Sequence, residues 1–274
     1  MMAHKYPYLN VPYFFIRLII FFGLWIFLTR LLRRIALTER PEADGTRFYN
    51  RSEFYSKVYI FVLAVTFSLA TFDLIMSIDV HWFSTIFAVK NFVSGFYHSI
   101  ALVLLIVILL NKNGYLEGLN NDHLRDFAKY LLILGIIWAY LWFVQYLLIW
   151  FANIPEETIY FVTRTEGSWR VLFFSDIILN FGIPFLLLFS GKLTKSRSVL
   201  MVICVVLLVG LWIDLYIQIM PGSVGERHLG FVEFGSFLGF LALFTFIVSK
   251  GLSRFPLIQA NHPYLKESIN HHRE

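Results

Sequence analysis

Residues 68–99, SLATFDLIMSIDVHWFSTIFAVKNFVSGFYHS, place ionisable side chains inside segments that are otherwise apolar enough to sit in lipid. Asp73 falls about a turn before the end of one apolar segment, Asp79 and His81 fall in a short connection, and Lys90 and His98 fall within the next segment. Such groups are costly in a bilayer, so each is a candidate functional residue. At helical spacing Thr66, Ala70, Asp73 and Ser77 form one stripe, and Asn91, Ser94, Gly95 and His98 form another on the following helix. Two seams of small or polar residues therefore flank a tight turn.

The chain around this stretch is of the same kind. Hydrophobic residues make up 58% of its 274 residues and charged ones only 15%, which excludes an ordinary soluble domain. Seven apolar segments of spanning length are expected at 11–31, 58–77, 85–110, 129–151, 171–189, 199–219 and 230–249, followed by a tail at 250–274. The fold class is thus an all-α polytopic membrane bundle forming a single domain, with spans 2–5 as its expected four-helix core. The longest connection, 32–57, contains the turn cluster Pro-Glu-Ala-Asp-Gly and reads as a surface loop with one interfacial helix. Span 1 is too long for the apolar core of a cleavable leader and lacks a basic stretch before it, so no leader is expected.

The net charge of +5 is explained by orientation and gives no reason to expect nucleic acid. Of the 23 lysines and arginines, Arg17 and Lys90 lie within spans, Lys5, Arg164, Arg170 and Arg227 fall on one side of the membrane, and the other 17 fall on the opposite side. That bias places the N-terminus outside and the C-terminus in the cytoplasm. Asp73, Asp176, Asp214 and Glu233 then all lie in the outer third of their spans, where Arg17 and Lys90 are available as partners. His98 is nearer the midplane. A funnel of carboxylates open to the outer side is the expectation, with an apolar inner half.

Protonatable groups on inward faces suit a proton path, because a carboxylate shielded from water binds and releases a proton more readily near neutrality. Asp73, His98, Asp176, Asp214 and Glu233 fit this description, and they fit equally a set of salt-bridged packing residues. Asp176, Asn180 and Pro184 follow one another at i, i+4 and i+8, and the proline releases the Asn180 carbonyl, which then needs a water or a side-chain partner. Gly235 and Gly239 have the spacing that permits close helix approach. Of eight histidines only His98 is well inside a span, so axial haem ligation is not expected. No phosphate loop, nucleophile elbow or cysteine-based metal spacing is present, and Cys204 is the one cysteine. No catalytic residue and no metal ligand is therefore assigned.

At 68–89 (SLATFDLIMSIDVHWFSTIFAV) and 138–158 (WAYLWFVQYLLIWFANIPEET) the chain resembles the second large, quinone-binding membrane subunit of bacterial alternative complex III, a quinol:cytochrome c oxidoreductase. The motif VEFGSFLGFLALF (232–244) and the tail NHPYLKESINHH (261–272) are similar too, and the family belongs to the polysulfide-reductase membrane-subunit-like group. Family members carry further helices before the point where the resemblance begins, at PYLNVPYFFIRLII (7–20), so the chain is expected to lack the first helices of the family. The resemblance implies an accessory subunit of the bacterial inner membrane, lining a proton pathway through Asp73, His98, Asp176, Asp214 and Glu233. It implies no redox centre of the chain's own, and menaquinone or ubiquinone acting at the level of the complex. The implied partners are lipid, a paralogous quinol-binding membrane subunit, an iron-sulfur subunit, multihaem and monohaem cytochrome c subunits that carry haem c, and a terminal oxidase. A stand-alone proton-coupled secondary transporter is the competing expectation.

Overall fold

The computed structural model describes residues 8, 10–38, 45–116, 118–191, 193–224, 230–258 and 264–269. Lys5, Arg40, Lys192, Arg227 and Arg273 of the charge pattern, the turn residues 41–44 and most of the tail after 258 lie outside the described residues.

Ten α-helices are described, with no strand among the described residues: α1 (Val11–Thr38), α2 (Gly45–Leu74), α3 (Thr85–Lys112), α4 (Asn121–Ala152), α5 (Pro155–Thr165), α6 (Arg170–Ile177), α7 (Ile183–Phe189), α8 (Arg197–Ser223), α9 (Phe231–Leu252) and the short α10 (Leu265–Ile269). Helix is the structure expected of apolar chain in lipid, because it satisfies the backbone polar groups within each segment. Among the described residues seven stretches are long and apolar enough to cross a membrane; α6 and α7, joined by a π-helical turn at Ile178–Gly182, together make the fifth. The connection expected at 32–57 is mostly helix, since α1 runs on to Thr38 and α2 starts at Gly45. Its polar turns extend the two spans as one long hairpin.

The packed bundle is made by spans 3–6, not 2–5. Its core runs along α3, α4, α7 and α8, with Tyr97, Leu104, Leu131, Trp138, Leu188 and Leu207 all buried. Span 2 pairs with span 1 outside this bundle and touches it through α3. The reason lies in side-chain distribution: α3 and α8 each bury ten residues along a continuous stripe, whereas the buried residues of α2 are concentrated near its C-terminal end. On α9 no residue is buried, and Gly235 and Gly239 have no atom within 4 Å of where a Cβ would stand. The close approach expected at those glycines is not made within this chain.

The two ends of the bundle differ. At the Lys112 end the core is apolar. At the Trp82 end a second cluster, Trp82, Phe87, Ile149 and Tyr160, is built where α5 lies across the helix ends.

Candidate functional site: a buried network of acids, lysine and histidine

The α3 stripe Lys90, Asn91, Ser94, Tyr97 and His98 faces the bundle interior, all of it buried. Lys90 Nζ donates to Asp214 Oδ1 on α8 at 2.5 Å, and the two side chains are 5% and 3% exposed. The same carboxylate accepts from Gln218 Nε2 at 2.8 Å and from Ser94 Oγ at 3.2 Å. Lys90 also stands over the Trp138 ring, 5.6 Å from its centroid. A pair this deep persists only because further hydrogen bonds satisfy the lone pairs that water would otherwise occupy.

Next to it the π turn of span 5 turns Asn180 fully inward, with no exposed surface. Pro184 has no N–H to offer the Asn180 carbonyl, and the Tyr97 hydroxyl takes its place at 3.1 Å, supplying the side-chain partner that the sequence demanded. Asn180 Nδ2 donates to Asp176 Oδ1 at 2.6 Å, and Asn180 Oδ1 faces His98 Nε2 at 2.8 Å. His98 Nδ1 donates to the Ser94 carbonyl at 2.6 Å. Gly210 on α8 completes the arrangement, since a Cβ there would overlap the Asn180 amide.

Asp176, Asp214 and Lys90 meet at a cavity of about 30 Å³ that Gln145 and Gln218 also line. This is about the volume of one water molecule. Gln145 Nε2 and Gln218 Oε1 are buried there without a hydrogen-bond partner. A second cavity, of about 260 Å³, lies between α2, α3 and α8 and is lined by Ser94 and His98 together with Phe67, Leu208 and Leu211. Ser94 and His98 line only this wider cavity and are linked to the small one by hydrogen bonds, Ser94 to Asp214 and His98 through Asn180 to Asp176.

The Trp82 end of the network is closed. Tyr160 on α5 stacks on Trp82 with ring centroids 3.8 Å apart, and the Arg164 guanidinium stacks on Tyr160 at 3.4 Å. Pro221 within α8 leaves the Ile217 carbonyl without its helical donor, and Arg164 Nε fills the place at 2.9 Å. Arg164 also donates to the Tyr160 and Gln218 carbonyls and to Asp79 Oδ2, the last at 2.9 Å. Burial raises the Tyr160 phenol above its ordinary value, so that it stays a neutral hydroxyl.

The structure therefore gathers Asp176, Asp214, His98 and Lys90, and separates the other residues expected at the site. Asp73 accepts from Arg17 Nε at 2.8 Å in an α1–α2 pin, with the guanidinium against the rings of Tyr8 and Tyr13. Glu233 Oε2 accepts from the Gly230 backbone N–H at 2.8 Å and caps α9. Asp79 belongs to the Arg164 plug, and His81 is exposed on the connection beside it. The expected four-carboxylate funnel, open at this end, is not formed: only two of its members converge, and the aromatic plug covers them. Arg164, Gln145 and Gln218 were not singled out from sequence; Pro221, which frees a carbonyl at membrane depth, was the signal available for Arg164. Among the described residues no three His, Cys, Asp or Glu side chains are grouped as metal ligands. Neither any protein-family model nor any curated protein matches the chain.

Proposed function

We propose that this chain is a proton-carrying membrane subunit of a bacterial quinol:cytochrome c oxidoreductase of the alternative complex III kind. The observation that carries the proposal is the buried set Lys90, Asp214, Ser94, His98, Asn180 and Asp176, hydrogen-bonded in series, with Lys90, Asp214 and Asp176 at its two ends meeting at a water-sized cavity. Two acids and a histidine held this deep cost stability that apolar residues would not, which favours a role in moving protons over one in packing. The charge pattern supports an outward N-terminus and a cytoplasmic C-terminus in the inner membrane. In this reading the wholly unburied α9 is a surface for the paralogous membrane subunit, and the haem c, iron-sulfur and quinol chemistry belongs to the partners.

A secondary transporter is the second reading, and one observation favours it: the π turn interrupts span 5 at the site, as broken helices do in transporters. Mild-detergent purification of the tagged chain from its native membrane separates the two. A respiratory subunit brings cytochrome c and iron-sulfur subunits with it in fixed ratio, whereas purification of the chain alone, with intact proton-coupled uptake in vesicles, replaces the first reading with the second.

A further inference from the structure

The hydrogen bonds around Asn180, together with the cost of a buried net charge, limit how many protons the site can hold. The Ser94 carbonyl can only accept, so His98 Nδ1 carries a hydrogen, and neutral His98 would present a bare lone pair at Nε2. Nε2 faces Asn180 Oδ1, which also only accepts, so this arrangement needs a second hydrogen on the ring, and an ionised Asp176 receiving Asn180 Nδ2 balances the charge this brings. Half a turn of the amide gives the complementary arrangement: Nδ2 donates to the Nε2 lone pair, and Oδ1 accepts from a protonated Asp176. Each arrangement satisfies every group with one mobile proton in the triad. With none, the amide oxygen faces a lone pair or a carboxylate; with two, the hydrogen bonds can still be made, because a protonated Asp176 keeps a carbonyl oxygen for Nδ2, but the triad then buries an unbalanced positive charge.

We infer that His98, Asn180 and Asp176 form a single-proton site, in which the proton rests on either His98 or Asp176 and the Asn180 amide turns over as it passes between them. This rests on the proton-carrying reading only for its physiological meaning. In the exchange the Nε2–H bond breaks and leaves its electron pair on the ring, Asn180 Oδ1 takes that proton, carries it round as the amide turns and gives it to Asp176, where a carboxyl O–H bond forms, so the amide ends with the hydrogens it began with. The triad is neutral in both states. Its charged neighbours are the Lys90–Asp214 pair from α3 and α8 and the Arg164–Asp79 pair from α5 and the connection, each balanced in itself; the Tyr97 hydroxyl donates to the Asn180 carbonyl, and Tyr160 lines the small cavity with Asp176. Neither state therefore buries an unbalanced charge. Gly210 leaves the volume the amide needs, and Tyr97 holds the backbone at Asn180 from the other side.

The test is solid-state NMR of the ring nitrogens of His98, combined with infrared detection of a protonated carboxyl at Asp176, on the full chain in bilayers across the neutral pH range. The carboxyl band is assigned by its shift in Asp176→Glu, which keeps the acid. The expected result is Nδ1 protonated throughout, and complementary occupancies of Nε2–H and Asp176 O–H that add to one proton at each pH. Asn180→Leu is expected to break the complementarity, so that the two groups titrate separately. A neutral His98 protonated on Nε2 alone, a doubly protonated ring beside a protonated Asp176, or a triad empty of its proton would each overturn the inference. These outcomes are read without turnover, so a failure here is distinct from a failure of the proton-carrying reading, which shows only in proton release.

Discussion

Arg164 is fixed by the backbone it completes, although its position in the sequence marks it only as a loop charge. Its four donations, two of them to α8 carbonyls next to Pro221, require a planar fork that lysine does not have. Arg164→Lys is expected to lower stability by about 1–3 kcal/mol for each buried carbonyl left unpartnered, measured as a fall in thermal midpoint of the purified chain. Gly210→Ala pushes a methyl into the Asn180 amide and is expected to cost about 1–3 kcal/mol, as overpacking does. Asp73→Asn leaves Arg17 buried and unpaired, with a loss of roughly 3–5 kcal/mol and no change in protons released per turnover. An altered proton yield from Asp73→Asn, with stability intact, would move the α1–α2 pin into the path.

At the scale of elements, α9 and α5 depart in opposite directions from what their sequences suggest. The apolar run of α9 looks like any other span, yet it buries no residue and meets the bundle chiefly where Trp212 touches Phe234 and Phe237. A chain ending at Val224 is therefore expected to keep the spans 3–6 bundle protease-resistant, with a thermal midpoint close to that of the full chain. Collapse of the bundle on this truncation would mean that α9 contributes packing the structure does not give it. By contrast α5, only 11 residues and of low apolarity, supplies two buried side chains and closes the site. Its helical start was readable from Pro155 at the first turn with Glu156 and Glu157 behind it, but the depth of Tyr160 and Arg164 depends on Trp82, Ile217 and Asp79, which are remote in sequence.

For the molecule as a whole, span number and helical class follow from apolar run length, which is a local property, and the seven spans come out as expected. Partner choice within the bundle is not local. Lys90 and Asp214 are 124 positions apart, and nothing in their own segments says that Lys90 should meet Asp214 while Arg17 meets Asp73. The carboxylates were readable as a set at one depth, but depth does not fix azimuth: Glu233 shares the depth and caps its own helix. The Asn180 carbonyl was the exception, because a proline dictates an orphan acceptor four residues back whatever the tertiary fold.

If the chain is the proton-carrying subunit proposed above, carriage through the Asp176–Asp214 cavity is measured most directly as protons released per electron by the complex in sealed vesicles oxidising quinol. Asp176→Asn is expected to leave the complex assembled and quinol oxidation near the wild-type rate while lowering that ratio; Asp214→Asn is expected to lower it too, at a stability cost like that of Asp73→Asn because it leaves Lys90 buried and unpaired. An unchanged ratio in both assembled variants would contradict proton carriage there and leave the network a structural one.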